Sequence, residues 1–373
     1  MKKVMHVIHG LNTGGAETLV KNYALKMDKN NFEVVILCFD HYYDSPYEKI
    51  LEDNDVRVIY VCDYMKFYGS KNPLLKLFNK IEKYLIIKRH VKNEKPDIIH
   101  THLQINRYIK FSKPKKSVSL FHTVHNEPIV LWRRGKFNRR LDFLSTKCLV
   151  KKYNMRFIVL HEEMKKEVNK LFHVSNSVVL NNGIDFNCFN GSVNNNLKKY
   201  LKIPNDAFVI GHIGRFTEQK NHSFLVDVFY SMYKKHKNSF LLMIGSGTNK
   251  ESIERKLDDL GLNGHYLILS NRNDIPDLLS IMDIFVFPSI FEGLGIVLIE
   301  AQKMKVPCFI STAVPKNATI SNLVTRLSLD LEPSEWAKII FDYKKPEKIV
   351  LDDKDWNMVN VVKKLEDIYL DKI

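Results

Sequence analysis

The residues best placed to do chemistry are two glutamates, Glu292 and Glu300, in Phe287-Pro-Ser-Ile-Phe-Glu-Gly-Leu-Gly-Ile-Val-Leu-Ile-Glu300. Ile284–Phe287 reads as a buried parallel strand that Pro288 ends. A helix beginning near Gly293 would aim its free backbone N–H groups, and the positive end of its dipole, at whatever lies above the strand ends. Phosphate suits that position. Eight residues along such a helix amount to about 80° round its axis and about 12 Å along it, so one carboxylate sits at the helix mouth and the other about two turns below. Sugar hydroxyls donate hydrogen bonds, and carboxylates are strong acceptors for them. A diphosphate flanked by two hydroxyl-rich groups, as in a nucleotide-sugar, fits this layout.

Other segments carry compatible chemistry. Ile213-Gly-Arg-Phe-Thr-Glu-Gln-Lys220 follows an apolar strand pattern. Gly214 permits a tight turn there, and Arg215 and Lys220 place two cations just past the strand end, where they could face a diphosphate. Gly10-Leu-Asn-Thr-Gly-Gly-Ala-Glu17 lies between the first strand and the first helix. Adjacent Gly14 and Gly15 allow close backbone approach to a ligand at a helix N-terminus, but the spacing is not Gly-x-Gly-x-x-Gly, so a plain dinucleotide site is not expected. His100, His102, His122 and His125 fall on separate loops without metal-ligand spacing or a cysteine partner, and no Asp-x-Asp occurs. No metal site and no cofactor are expected.

Taken together and in order, these motifs resemble those of retaining glycosyltransferases of family 4. Glu-x7-Glu after Pro-Ser, Gly-Arg…Lys at 214–220, Gly-Gly-Ala-Glu at 14–17 and His125-Asn126 all match. The resemblance spans nearly the whole chain. It is densest to enzymes building exopolysaccharide, capsule or lipopolysaccharide, through Thr217-Glu-Gln-Lys-Asn-His222, Ile299-Glu-Ala-Gln302 and Trp336-Ala337. It implies an α/β chain of two Rossmann-like domains facing across a cleft, the GT-B architecture, and front-side transfer with retention. Arg215, Lys220 and the amides of Gly293, Leu294 and Gly295 would bind the departing diphosphate. Gly214 would shape their loop, and Gly14 and Gly15 would face the donor. Glu300 would bind the ribose, Glu292 the sugar, and His125 the sugar near the reacting carbon, with His122 the less favoured candidate. The chain departs from the family pattern at Asn181, where proline is usual, at Lys305 in place of glycine, and at Gly295, where the subgroup often has proline.

The elements that must hold these residues follow from strand–helix alternation, which implies parallel sheets covered on both faces. Strand patterns occur at Lys3–His9, Phe32–Phe39, Asp55–Val61, Asp97–Thr101, Ser117–His122 and Arg156–Leu160. A second series comprises Ala207–Ile213, Phe240–Ile244, Tyr266–Leu269, Ile284–Phe287 and Pro307–Ile310. Helical patterns run over Gly15–Met27 and from about Pro73 to Asn93. At 373 residues the chain is long enough for two cores. The expected division is 1–182, an acceptor- and membrane-facing domain; 183–350, the nucleotide-sugar domain; and 351–373. Met358, Val361, Val362, Leu365 and Ile368 make an apolar helical stripe in the tail, which the resemblance returns to the first domain.

Five scattered cysteines without Cys-x-x-Cys point to free thiols in a reducing cytosol. Neither a signal peptide nor an apolar run long enough to span a membrane is legible. Charge is uneven: residues 64–156 hold 23 Lys+Arg against 5 Asp+Glu. A field of that sign implies an anionic partner. Lys113, Lys115, Arg133, Arg134 and His102 are the expected acceptor- or membrane-facing residues, with Tyr64, Phe67, Tyr68, Phe111, Trp132 and Phe137 interleaved. The expected partners are a UDP-sugar donor, a lipid-linked saccharide acceptor and the anionic inner face of the cell membrane, to which a cytoplasmic chain attaches peripherally; nucleic acid is not expected. Two competing readings are a nucleotide-sugar epimerase of the same shape and a non-catalytic, basic anion-binding protein.

Overall fold

The computed structural model describes residues 1–12, 14–43, 45–125, 128, 132, 137–189 and 196–372, with residues 137 and 138 described by their backbone alone. The chain divides into two compact units, Met1–Gly183 with Asp355–Ile373, and Ile184–Lys354.

The first unit is built on a seven-stranded sheet: β1 (Lys2–Ile8), β2 (Phe32–Cys38), β3 (Arg57–Tyr60), β4 (Ile98–His102), β5 (Ser119–Thr123), β6 (Arg156–Val159) and β7 (Val178–Val179), in the order β3-β2-β1-β4-β5-β6-β7. All its neighbours pair in parallel. Its central strands are buried almost throughout, histidines included, because helices cover both faces. On one face the 73–94 helix contributes Ile87 and Val91 to a cluster with Met5, Val7, Leu37 and Ile99. On the other, the C-terminal helix Met358–Tyr369 packs Met358, Val361, Val362, Leu365, Ile368 and Tyr369 against Val4, Tyr23, Phe32 and Phe121. The backbone N–H of Asp28 donates to Glu366 at 2.7 Å, and Arg156 pairs with Asp371 at 2.6 Å. Gly183 permits this helix to start where it does, since a Cβ there would lie 2.9 Å from Met358 Cα.

The second unit carries a six-stranded sheet, β8 (Phe208–Ile213), β9 (Ser239–Ile244), β10 (Tyr266–Leu269), β11 (Ile284–Phe287), β12 (Cys308–Ser311) and β13 (Val324–Leu327), in the order β10-β9-β8-β11-β12-β13. It too is parallel. The β7 and β13 strands are absent from the sequence reading. Both lie at sheet edges, one is two residues long, and β13 is the half-buried Val-Thr-Arg-Leu, with little apolar signal to read. Residues 351–354 stay with the second unit: Asp353 pairs with Lys303 at 2.6 Å, and the Asp352 N–H donates to the Ile320 carbonyl at 2.8 Å.

Candidate functional site

In both sheets the order reverses beside the first strand, at β1/β4 and at β8/β11. Ligands of open parallel sheets bind beyond the carboxyl ends of the strands at such reversals. The charged motifs of the second unit lie there. The loop after β8 carries Arg215 and Lys220, and the loop after β11 carries Glu292. Lys220 Nζ lies 2.6 Å from Glu292 Oε1, with side chains 13% and 6% exposed, and 4.5 Å from the centre of the Phe287 ring. Burial lowers the Lys220 pKa, opposed by the Glu292 carboxylate. Two hydrogen bonds tie the loops: the Ile290 N–H donates to the Gln219 carbonyl at 2.8 Å, and the Gln219 side-chain Nε2 donates to the Phe291 carbonyl at 3.0 Å. Gly214 leaves room for the lysine stem, since a Cβ would lie 3.2 Å from Lys220 Cδ. Arg215 is exposed, and no partner for its guanidinium is found among the described residues.

The helix after β11 spans Ile296–Lys303 and is capped by Gly295 in the left-handed region at φ 78°. This corrects the expected start at Gly293. The left-handed turn interrupts the helix, so Glu292 belongs to the loop and only Glu300 to the helix. Glu300 lies four residues, about 6 Å, beyond Ile296, at the start of the helix's second turn. Burial pushes its carboxyl pKa up to about 7. Gly293 is half-buried, while the Leu294 side chain is buried, so only its backbone is available to a ligand.

In the first unit, Gly14 caps the 15–26 helix in an extended conformation, with Glu17 in the helix's first turn. A Cβ at Gly14 would strike the Glu17 carboxylate, so an acidic group of the chain itself already lies beside this loop. His125 is half-buried just past β5, its Nε2 3.1 Å from His102 Nδ1. His122 is wholly internal, 2.8 Å from Thr101 Oγ1. The assignment of His102 to an acceptor or membrane surface is overturned: it is buried on β4, between His6 Nδ1 at 3.0 Å and His125. Its strand position turns it onto the same face as His6 and His100, beneath helices. Lys113 and Lys115 are exposed. Asn126, Arg133 and Arg134 lie outside the described residues.

Three features escaped sequence reasoning. Gly245-Ser-Gly247 follows β9. A Cβ at Gly245 would strike the Gly214 carbonyl and one at Gly247 would lie 2.5 Å from that of Phe216, while Phe216 N–H donates to Ser246 at 2.9 Å. Two glycines after an apolar strand were the available signal. His6 was legible only as a polar residue in a buried strand. On the 73–94 helix, Leu74, Leu77, Phe78, Ile81 and Leu85 are between 53% and 71% exposed. They span an arc of about 100°, and Lys88, Arg89 and Lys92 continue the same face.

Two parallel-sheet α/β domains, with a cation-and-carboxylate site at the second sheet's reversal, define the GT-B class of glycosyltransferases. Family models match both halves, glycosyltransferase family 4 over residues 13–187 and glycosyl transferases group 1 over residues 193–342. EpsF of Bacillus subtilis (strain 168), assigned as a glycosyltransferase, is 31% identical over 91% of this chain and 87% of its own. The chain belongs to glycosyltransferase family 4. The UDP-Gal:alpha-D-GlcNAc-diphosphoundecaprenol alpha-1,3-galactosyltransferase of Escherichia coli is 25% identical over 100% of this chain and 97% of its own. Other relatives are named for capsular polysaccharide and lipopolysaccharide core biosynthesis. The crystal structure of Anabaena Alr3699/HepE in complex with UDP and glucose superposes with a TM-score of 0.76 at 16% identity, covering 100% of both chains.

Proposed function

We propose that this glycosyltransferase moves a sugar from a UDP-sugar to a lipid-linked saccharide in surface-polysaccharide synthesis, with retention at the anomeric carbon and without a metal. The observation that carries this reading is the buried Lys220–Glu292 pair beside exposed Arg215, at the reversal between β8 and β11. The bond from the anomeric carbon to the diphosphate breaks with its electron pair leaving on the phosphate oxygen. The acceptor hydroxyl oxygen bonds the same carbon from the same face, and its proton passes to the departing phosphate. Arg215 and Lys220 offset the added negative charge. Glu292 and His125 hold the sugar, and Glu300 accepts from the ribose. The lipid-linked acceptor is supported by the Escherichia coli relative and by the exposed apolar arc of the 73–94 helix beside its lysines, which suits an anionic membrane surface.

A panel of nucleotide-sugars, each incubated with and without a diphosphate-lipid-linked N-acetylglucosamine, tests the reading. The expected result is product only with acceptor present, of the donor's anomeric configuration, unaffected by EDTA. Conversion of donor alone would favour an epimerase; an inverted product or metal-reversible loss would overturn the mechanism.

A further inference from the structure

We infer that His6, His102 and His125 form a directional chain of neutral imidazoles that fixes His125 with its Nδ1–H as a hydrogen-bond donor. The inference rests on the proposed role of His125 at the transferred sugar, which it deepens. His6 on β1 pairs in register with His100 on β4, and His102 lies two residues beyond on the same sheet face. His6 Nδ1 is 3.0 Å from His102 Nε2, and His102 Nδ1 is 3.1 Å from His125 Nε2. Burial disfavours the charged form of all three, reinforced at His102 by the neighbouring histidines. A neutral imidazole has one N–H and one lone pair. His102 bonded on both sides must therefore donate on one and accept on the other, so the chain has only two polarities.

The buried end chooses between them. His6 Nε2 is buried without a partner among the described residues. If the chain ran from His125 inward, that atom would be a buried N–H without an acceptor among the described residues, an arrangement proteins rarely tolerate. Run outward, His6 Nδ1–H donates to His102, His102 Nδ1–H donates to His125 Nε2, and His125 Nδ1–H is left for a ligand. His102 and His6 are then positioning residues.

Ring nitrogens of His6, His100 and His102 also lie within 4.8 Å of one another. Both nitrogens of His100 are engaged, Nδ1 with the Tyr369 hydroxyl at 2.6 Å and Nε2 with Thr123 Oγ1 at 2.7 Å. The hydrogen-bond chain uses the remaining pair and leaves that network intact.

The test is nitrogen-15 NMR on the full chain labelled at histidine, with resonances assigned through His6→Gln and His125→Gln. The expected result is the Nδ1–H tautomer at His6, His102 and His125 together. Nε2–H at these positions would overturn the inference, as would joint shifts of His6, His100 and His102 on adding Zn2+ to chelator-treated protein, which would mark a metal site. His102→Phe is expected to lower kcat about three- to tenfold, the worth of one hydrogen bond, at unchanged donor KM, and His102→Gln, which can both accept and donate, to restore it. Full transfer by His125→Gln with the Nδ1–H tautomers present would reject the sugar-contact role and leave the chain standing.

Discussion

Lys220 and Glu292 combine a proposed role at the donor with a buried ion pair inside the second unit. Removing one member of a buried ion pair leaves the other charge unpaired, at a cost of about 3–5 kcal/mol. Lys220→Ala is therefore expected to lower the melting temperature as well as abolish transfer, and Lys220→Ala with Glu292→Gln to recover much of the stability and none of the activity. Arg215→Ala, at an exposed position, should lose activity with the melting curve unchanged. Calorimetry beside a transfer assay separates these outcomes; equal melting of the parent and Lys220→Ala would deny the pair its structural role. Glu300 carries a pH signature. Its carboxyl pKa is raised from 4.5 to about 7 by burial. Below pH 4.5 the folded and unfolded states both hold the proton. Between there and about pH 7 only the fold retains it, so this group's contribution to stability falls as pH rises, and above pH 7 the loss is complete. Glu300→Gln should match the parent's melting temperature near pH 4.5 and exceed it increasingly up to pH 7. UDP binding should weaken about tenfold or more in Glu300→Ala, through loss of a charged hydrogen bond worth about 1.5–3 kcal/mol. A constant stability difference across that pH range would mean the carboxyl is not desolvated.

The C-terminal helix joins residues remote in sequence into the first unit's core. Leu365 is fully buried among Val4, Tyr23 and Phe121. Leu365→Ala should cost about 2–5 kcal/mol, read as earlier urea unfolding of the first unit; a loss below about 1 kcal/mol would show that the helix docks loosely. The stripe Met358, Val361, Val362, Leu365 and Ile368 was legible because its period is helical, as were the central strands, whose apolar runs have no competing pattern. Where backbone geometry decides, legibility ended. Nothing in Gly293-Leu-Gly295 says which glycine takes the left-handed turn, so the helix start was misplaced by three residues. Periodicity likewise cannot distinguish an apolar stripe turned inward from one turned out. In the 73–94 helix Ile87 and Val91 face the core, while Leu77 and Ile81 do not. His102 was misassigned for the same reason: a His-x-His strand end does not reveal which face its rings share, and that face is set by the pairing of β4 with β1.

At the scale of the whole molecule, the excess positive charge and the exposed apolar arc belong to the same unit. Among the described residues no helix is long and apolar enough to cross a membrane; in the proposed membrane reading the arc would lie in the headgroup region. Each Lys or Arg near an anionic surface contributes about 1 kcal/mol, screened over about 8 Å at physiological salt. Each buried apolar side chain adds about 1.5–3 kcal/mol when fully withdrawn from water, a term that salt does not screen. The two contributions predict a two-part response. Lys113→Glu with Lys115→Glu should reduce sedimentation with phosphatidylglycerol-containing liposomes at low salt and leave a salt-insensitive remainder. Leu77→Ser with Ile81→Ser should remove that remainder while keeping a weak attachment that disappears at 0.5 M NaCl. Neither pair touches the proposed donor site, so both variants should still transfer to a detergent-dispersed acceptor. Binding that is equal on neutral and anionic vesicles would reject the electrostatic part. If the parent fails to bind any vesicle and sediments as a dimer that Leu77→Ser with Ile81→Ser dissociates, the apolar arc is a contact between two copies of the chain and the membrane reading falls.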